Sequence, residues 1–270
     1  MKSVDVRALL EGFPAGGPIA DGKSKTLHPT ALPGVCLMAF KPHARSLTAR
    51  REEDIAGSDS WRLLATLDAL LHLESQGVPT HLCHPRAIAV GQKMYLAVAW
   101  ARPIPIEWIV RYEAAGSIVR LFPSLVRPGQ RFDRPLFKYD YKQDVAVAGV
   151  DDPTLNESYI VGLGLLPEGQ LRPAQSLLAQ VGEHLRHYLA AAGIRLIDMK
   201  VEFGQGDDGR MILIDEVSQD CIRAVDDATG QPLTKDLFRR LASPAEVVGA
   251  YAAYARKLNP TIEDLVWRAS

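Results

Sequence analysis

The chain has 270 residues and a hydrophobic content of 47%, enough for one large domain or two modest domains with a real core. Its formal net charge of −1 excludes a global basic field for binding nucleic acid or an anionic membrane surface. Cys36, Cys83 and Cys221 lack the spacing of a disulfide framework or a zinc site, and no apolar run approaches the length of a membrane span, so a cytoplasmic location is expected.

The first hundred residues predict a β-rich lobe with one helix. Residues 1–17 end in a Pro/Gly-rich patch and are interpreted as an extension or a flexible lead-in. Residues 19–28 and 34–41 predict two strands, because apolar runs alternate there with turn residues. The charged residues 42–57 are interpreted as a loop. Residues 58–76 predict a helix, since their apolar side chains recur at helical spacing.

The remaining elements follow in order along the chain. Residues 78–100 predict several short strands, and residues 102–106 (RPIPI) predict a linker to a second lobe. That lobe opens with a strand at residues 106–112 and continues with a helix at residues 171–192. A last helix at residues 243–258 has a serine, a proline and a glutamate placed for a capping box at its start.

Antiparallel strands with helices grouped on one side are typical of an α+β protein. We therefore predict two lobes, a β-rich lobe at residues 1–101 and an α+β lobe at residues 102–270.

The most informative segment is a predicted hairpin at residues 197–216. In a strand, alternate side chains share a face, so Asp198, Lys200 and Glu202 point the same way. A tight two-residue turn at Asp208-Gly209 would place Glu202 directly opposite Asp215. The repulsion between two such acids is about 3 kcal/mol at an effective dielectric constant near 20, and a hard divalent cation would relieve it.

Two interpretations of this hairpin stay open from the residues alone. In the first, Glu202 and Asp215 bind a metal ion, and Lys200 reaches a phosphate that shares it. In the second, the charged face is only the solvated side of a sheet, and Lys200 is a salt-bridge partner. A slip of one residue in the register would also change the pairing.

Five segments in order resemble motifs of the SAICAR synthetase family. Residues 22–25 (GKSK) resemble its phosphate loop, GKxK, and residues 110–117 (VRYEAAGS) resemble VVRNxAAGS. Residues 198–204 (DMKVEFG) resemble DFKLEFG, and residues 215–223 (DEVSQDCIR) resemble DEISPDTxR. Residues 235–239 (KDLFR) match KDxFR. The resemblance implies a SAICAR-synthetase-like nucleotide-binding fold and an ATP- and magnesium-dependent ligase that joins a ribotide carboxylate to the amine of L-aspartate.

The resemblance also implies roles for individual residues. The catalytic residues would be Lys200, Glu202 and Asp215, of which Glu202 and Asp215 bind magnesium and Lys200 faces the phosphates. The nucleotide would be bound by Lys200 and by the loop residues Gly22, Lys23, Ser24 and Lys25. The anionic substrate would be bound by Arg111, Ser117, Arg223 and Arg239, since arginine binds phosphate or carboxylate in a bidentate manner. Lys142 is a further substrate-binding candidate, and Asp220 would hold an arginine or the amine substrate.

Without the resemblance, several of these residues have ordinary explanations. The lysines at residues 23 and 25 could be an exposed strand end, and Arg111 could form an internal ion pair. Asp220 could be structural. Small-molecule substrates are the expected partners, and a homodimer is a further expectation.

The chain also departs from the family pattern, chiefly in one loop of the first lobe. The family has a DxTSAxDG loop followed by a KGxxNNK helix start. This chain lacks the acidic, glycine and asparagine residues at the matching positions. The departures fall at residues 43–50, residues 58–64, Ala99, Trp100, Asp151 and Gln219. His43 and Arg45 lie in this rewritten loop, and His43 is interpreted as a solvated residue in preference to a proton carrier or a substrate contact.

The rewritten loop leaves the substrate open. One hypothesis is the family's own reaction on carboxyaminoimidazole ribotide (CAIR). The other is a paralogue that forms the same bond on a modified ring, for instance in nucleoside natural-product biosynthesis. A small-molecule kinase and a non-catalytic binding module are rival interpretations from other classes, and retention of Lys200, Glu202 and Asp215 argues against the second of these.

Overall fold

The computed structural model describes residues 4–13, 16–46, 49–143 and 152–268. Its helices are α1 Val6–Leu10, α2 Ser58–Ser75, α3 Ser117–Leu121, α4 Glu157–Gly162, α5 Glu168–Ala191, α6 Asp236–Arg239 and α7 Pro244–Leu258. The strands up to the middle of the chain are β1 Ala20–Asp21, β2 Lys25–Pro29, β3 Val35–Phe40, β4 His43–Ser46, β5 Arg51–Asp54, β6 Ala87–Val90, β7 Lys93–Ala99, β8 Arg102–Pro103 and β9 Ile106–Glu113. The later strands are β10 Arg131–Tyr141, β11 Thr154–Leu155, β12 Ile194–Gln205, β13 Met211–Ile214, β14 Ile222–Asp226 and β15 Val266–Arg268. Helices and mainly antiparallel sheets confirm the α+β class.

The first sheet has the strand order β1-β2-β3-β7-β6-β15, and its only parallel pair within the described ranges joins β15 to β6. Of the two interpretations of the segment before β1, the structure favours an extension over a flexible lead-in, because α1 packs on this sheet. Val6 and Leu9 of α1 are buried against Leu37 and Tyr95. The helix thereby covers apolar surface of the sheet that would otherwise face water.

The second sheet is built around the long strand β12. It has the order β11-β10-β9-β12-β13, and β14 and β8 also pair with β12. Helix α5 packs on this sheet through Val181, Leu185 and Leu189. At Gly182 an added Cβ would lie 2.6 Å from the Tyr112 hydroxyl and 3.1 Å from Val110 Cγ1, so a larger residue would force these side chains of β9 to move.

Two predictions about connecting segments were wrong. Within the segment interpreted as a loop, residues 43–46 and 51–54 pair as the antiparallel strands β4 and β5. Residues 80–84 form isolated bridges at Thr80 and Leu82 instead of a strand. The predicted linker begins with β8, which pairs with Gly204 and Gln205 of β12. The predicted division between residues 101 and 102 stays a prediction.

The three long helices were predicted correctly. Helix α2 starts after Gly57, which has a φ of 86° and gives no side-chain cap. Ser58 and Asp59 are residue types that could cap a helix start, but both lie inside its first turn. Helix α7 has the predicted capping box between Ser243 and Glu246. None of the described helices is long and apolar enough to cross a membrane.

Candidate active site

A cleft of about 920 Å³ lies between the two sheets. It is lined by the β1–β2 turn, by β9 and β12 of the second sheet, and by the segment from Asp215 to Arg223. The site residues predicted from the sequence that line it are Gly22, Lys23, Ser24, Lys25, Arg111, Lys142, Lys200, Glu202, Asp215, Asp220, Arg223 and Arg239. Ser117 is the exception, since it starts α3 and is not among the described residues that line the cleft.

The predicted register of the central hairpin was wrong by one residue. Glu202 pairs with Ile214, not with Asp215, and the amide of Gly206 donates to the carbonyl of Arg210. The turn is therefore a three-residue loop that ends at Gly209, whose φ is 75°. Asp215 follows β13 with a φ of 67°, a conformation that is rare for a non-glycine residue.

The acids of this hairpin are nevertheless brought together by a lysine. Lys200 Nζ lies 2.8 Å from Glu202 Oε1 and 3.8 Å from Asp215 Oδ2, so the two carboxylates face the same ammonium group. Lys142 Nζ is 2.5 Å from Glu202 Oε2, and Lys25 Nζ is 2.9 Å from Asp215 Oδ1. In this structure three lysines thus compensate the charge of two acids, where the sequence predicted a divalent metal ion.

Burial and charge act in opposite directions on these groups. Burial disfavours the carboxylate of Asp215, but Lys25, Lys200 and Lys142 outweigh burial and hold the pKa of Asp215 well below its usual value. Burial also disfavours the ammonium form of Lys200, yet Glu202 and other nearby groups raise the pKa of Lys200 well above its ordinary value. Both groups are therefore charged at neutral pH.

The acids present fit a magnesium ion that also contacts a nucleotide. Among residues 4–13, 16–46, 49–143 and 152–268, no group of three acidic, histidine or cysteine side chains could hold a metal alone. Magnesium characteristically takes one or two carboxylates and completes its shell with phosphate oxygens and water. Glu202 and Asp215 supply such a pair, and the surrounding lysines suit the phosphates.

A second buried network joins Glu216 and Asp220 to α2. Arg62 donates from Nη2 to Glu216 Oε1 at 2.7 Å and from Nε to Glu216 Oε2 at 3.1 Å, and only 1% of its side chain is exposed. Asp220 accepts hydrogen bonds from Lys235 at 2.8 Å and from the Tyr251 hydroxyl. Both oxygens of Asp220 are thus engaged within the protein, which suits a positioning role better than direct contact with an amine substrate.

An arginine cluster lines the opposite part of the cleft. Asp198 Oδ2 accepts from Arg111 Nε at 3.1 Å and from Arg223 Nη1 at 2.6 Å. Asp236 in turn accepts from Arg223 Nε at 3.0 Å and from Arg239 Nη1. The acids therefore hold the three guanidinium groups from one side and leave other N–H groups for an anion.

The cleft has an apolar end next to the β1–β2 turn. Leu27, Met38, Val98 and Ile214 line it, and Trp100 stands at its edge with 42% of its surface exposed. This surface is suited to the flat face of a nucleobase.

Sequence reasoning missed several residues of this cleft. Asp198 lay in a recognised motif, but its role in holding two arginines depends on the pairing of β9 with β12. Arg62 carried only the signal of a charged residue among apolar helix positions. His43 and Arg45 line the cleft, although His43 was interpreted as a solvated residue. Asp151 lies outside the described residues.

Comparison with known proteins gives one consistent family. The sequence model of SAICAR synthetase matches residues 18–255. The phosphoribosylaminoimidazole-succinocarboxamide synthase of Methanothermobacter thermautotrophicus is 34% identical over 244 residues, which are 90% of this chain and 92% of that protein. The crystal structure of the enzyme of that name from Ehrlichia chaffeensis has a TM-score of 0.80 at 26% identity and covers 90% of this chain and 98% of its own. A SAICAR synthetase in complex with ADP has a TM-score of 0.78 at 27% identity, with 89% and 97% covered.

Proposed function

The chain belongs to the SAICAR synthetase family, and from that premise we propose that it joins the carboxylate of CAIR to the amine of L-aspartate. As a member of this family it is an ATP-dependent, amide-bond-forming ligase that uses magnesium. The products would be the succinocarboxamide, ADP and phosphate. The observation that carries the proposal is that the same cleft is lined by Lys200, which lies between Glu202 and Asp215, and by the arginine cluster.

Each part of the cleft suits one part of this reaction. Lys23 and Lys25 extend from the β1–β2 turn toward the site where we place the phosphates. ATP would supply the phosphoryl group that activates the carboxylate, and Glu202 and Asp215 would hold the magnesium ion that shields the charge of its phosphates. Lys200 lies between these acids. It is placed to neutralise the negative charge that develops as the phosphoryl group is transferred from ATP and ADP departs.

The arginine cluster is suited to the anionic ribotide. Arg111, Arg223 and Arg239 face the cleft with donors that Asp198 and Asp236 do not occupy. A phosphate bound there would hold the ribotide while its carboxylate reaches the nucleotide. Fixing the two reactants in this way lowers the entropic cost of the transfer.

The experiment that tests this proposal measures phosphate release with ATP, Mg²⁺, CAIR and L-aspartate, and then with each substrate omitted in turn. We expect phosphate and the succinocarboxamide, identified by mass, only in the complete mixture. Lys200→Ala and the double variant Glu202→Ala/Asp215→Ala should lose this turnover and keep the wild-type circular dichroism spectrum. Normal turnover in those variants would refute the assigned roles.

A second candidate is the same bond formed on a modified ring. The hairpin β4–β5 favours it, because this cleft-lining segment is where the chain departs from the family pattern. Offering pyrazole ribotide carboxylates beside CAIR in the same assay decides between the two. A kinase would instead yield a stable phosphorylated product and no free phosphate. The cytoplasmic location and the homodimer stay predictions.

A further inference from the structure

The hairpin β4–β5 presents two side chains to the cleft. Its burial alternates along β4, so Ala44 and Ser46 are buried on one face while His43 and Arg45 lie on the other. His43 and Arg45 both line the cleft. In the hairpin, Arg45 pairs with Glu52 and His43 pairs with Asp54. The segment that departs from the family pattern thus forms one wall of the active site, lined by the polar side chains of His43 and Arg45.

This wall is fixed to the helix that carries part of the arginine cluster. Arg51 Nη1 donates to the carbonyl oxygens of Phe238 at 3.3 Å and Ala242 at 2.7 Å. The Arg51 guanidinium also lies 4.3 Å from the centre of the Phe238 ring, and Ala44 packs in the same apolar cluster as Phe238. Since Phe238 precedes Arg239 in α6, the hairpin is held beside the arginine cluster and not at the apolar end of the cleft.

Arg45 is paired less tightly than the three arginines of the arginine cluster, whose acids lie within 3.1 Å. Within the described ranges, the nearest acid to Arg45 is Glu52, whose Oε2 lies 3.4 Å from Nε, longer than a charge-assisted hydrogen bond. Glu52 is meanwhile bound to His43, whose ring nitrogens contact Glu52 at 3.0 Å and Asp54 at 2.9 Å. His43 therefore holds Glu52, and the donors of Arg45 are left for a ligand.

The reaction leaves one anion without a partner among the cations already assigned. The lysines near Asp215 suit the nucleotide phosphates, and the arginine cluster suits the ribotide. Lys142 and Lys235, which also line the cleft, are tied to Glu202 and Asp220 at 2.5 and 2.8 Å. The incoming amino acid, however, brings carboxylates of its own.

We propose that Arg45 binds a carboxylate of the incoming amino acid and so makes the β4–β5 hairpin the subsite for the amine substrate. The inference rests on the proposed ligase function and deepens it. The ligand class is a dicarboxylic α-amino acid. The guanidinium of Arg45 binds the side-chain carboxylate, which distinguishes such an amino acid from a neutral one.

The test compares Arg45→Gln and Arg45→Lys with the wild-type enzyme in steady-state kinetics, with each substrate varied in turn. Loss of a charge-assisted hydrogen-bond pair should raise the KM for L-aspartate about 10- to 100-fold and leave the KM values for ATP and the ribotide within about twofold. Arg45→Gln should also reduce the preference for L-aspartate over L-asparagine. Arg127→Gln, an exposed arginine outside the cleft, is the matched control and should change none of these values.

The melting temperatures of both Arg45 variants should equal that of the wild type, since Arg45 has 41% of its side chain exposed. An unchanged KM for L-aspartate, or an unchanged preference over L-asparagine, would overturn the assignment of Arg45 while the ligase function stood. If the wild type releases no phosphate with any pairing of ribotide carboxylate and amino acid, the proposed function fails, and this subsite fails with it.

Discussion

Lys25 Nζ lies 2.9 Å from Asp215 Oδ1, although Lys25 begins a strand of the first sheet and Asp215 follows a strand of the second. Lys25 also contacts Glu216 Oε1 at 2.7 Å. Burial disfavours the ammonium form, but Asp215 and Glu216 outweigh burial and raise the pKa of Lys25 well above its ordinary value. The ion pair therefore joins the two sheets at the point where the nucleotide phosphates would lie.

The first prediction separates this structural role from nucleotide binding. Lys25→Met leaves buried acids partly uncompensated, so the free energy of unfolding should fall by roughly 3 kcal/mol. Lys23→Met should change it by less than about 0.5 kcal/mol, since Lys23 has no ion-pair partner among the residues that the structure describes. Both variants should weaken Mg–ADP binding about tenfold or more. Urea denaturation and titration calorimetry measure the two effects.

Equal stability of the two variants would show that Asp215 and Glu216 are compensated without Lys25. Wild-type affinity for Mg–ADP in both would remove the β1–β2 turn from the nucleotide site.

The central hairpin shows what the sequence could and could not predict. Alternation of side chains placed Lys200 and Glu202 on one face, and the structure agrees. The turn type could not be predicted, and the error of one residue should have sent Asp215 to the other face. Asp215 has a positive φ, and its carboxylate faces Lys200. Aspartate adopts this conformation more often than most residues, but the residue type alone does not predict it at a given position.

The hairpin β4–β5 was missed for a different reason. Its outward face is charged and it has few buried apolar side chains, chiefly Ala44 and Ile55, so its sequence pattern is typical of a loop. Its stability depends on Phe238, which lies far away in the sequence, and on the carbonyl groups that Arg51 binds. Local patterns do not carry such long-range contacts.

The second prediction concerns Gly116, which lies against the arginine cluster. Its φ is 63°, and an added Cβ would lie 3.0 Å from both Nη1 and Nη2 of Arg223. Gly116→Ala should therefore destabilise the fold by at least about 1 kcal/mol through backbone strain, and should raise the KM for the ribotide by displacing Arg223. Steady-state kinetics and thermal unfolding report the two effects.

Gly129→Ala is the matched control. Gly129 has a φ of 75°, but nothing lies within 4 Å of an added Cβ. Its variant should lose stability and keep the wild-type KM for the ribotide. If Gly129→Ala raised that KM as much as Gly116→Ala, contact with Arg223 would not explain the effect.

The third prediction is a pH dependence of stability due to His81. Burial lowers the pKa of His81 from 6.5 to about 4, and its Nε2 has no hydrogen-bond partner in the part of the chain that the structure describes. The unfolded chain thus binds a proton at a higher pH than the folded protein does, so stability falls as pH falls from 6.5 toward 4. The full contribution of this pKa difference is roughly 3 kcal/mol.

His81→Asn should remove this contribution, whatever its effect on stability at neutral pH. Between pH 7.5 and 4.5, the free energy of unfolding from urea titration should fall by about 2–3 kcal/mol less in the variant than in the wild type. His187→Asn, at an exposed position on α5, should keep the wild-type pH dependence. Parallel curves for wild type and His81→Asn would show that His81 is not held neutral.

The last prediction concerns the metal dependence of nucleotide binding. Glu202→Gln should weaken the binding of ADP with magnesium and strengthen the binding of ADP without it. Glu202 is 3% exposed and binds both Lys142 and Lys200. Glu202→Gln removes one carboxylate from the proposed magnesium site, so Mg–ADP should bind about tenfold more weakly or worse. The same change removes the negative charge that compensates two lysines, so metal-free ADP should bind more tightly than it does to the wild type. Calorimetric titrations with Mg²⁺ and with EDTA measure both values.

Glu107→Gln is the control, because Glu107 lies 3.3 Å from Lys200 but has no assigned metal role. This variant should bind metal-free ADP slightly more tightly than the wild type and keep the wild-type dependence on magnesium. If the two variants respond alike to magnesium, Glu202 acts only as a counter-ion of the lysines and the metal site lies elsewhere.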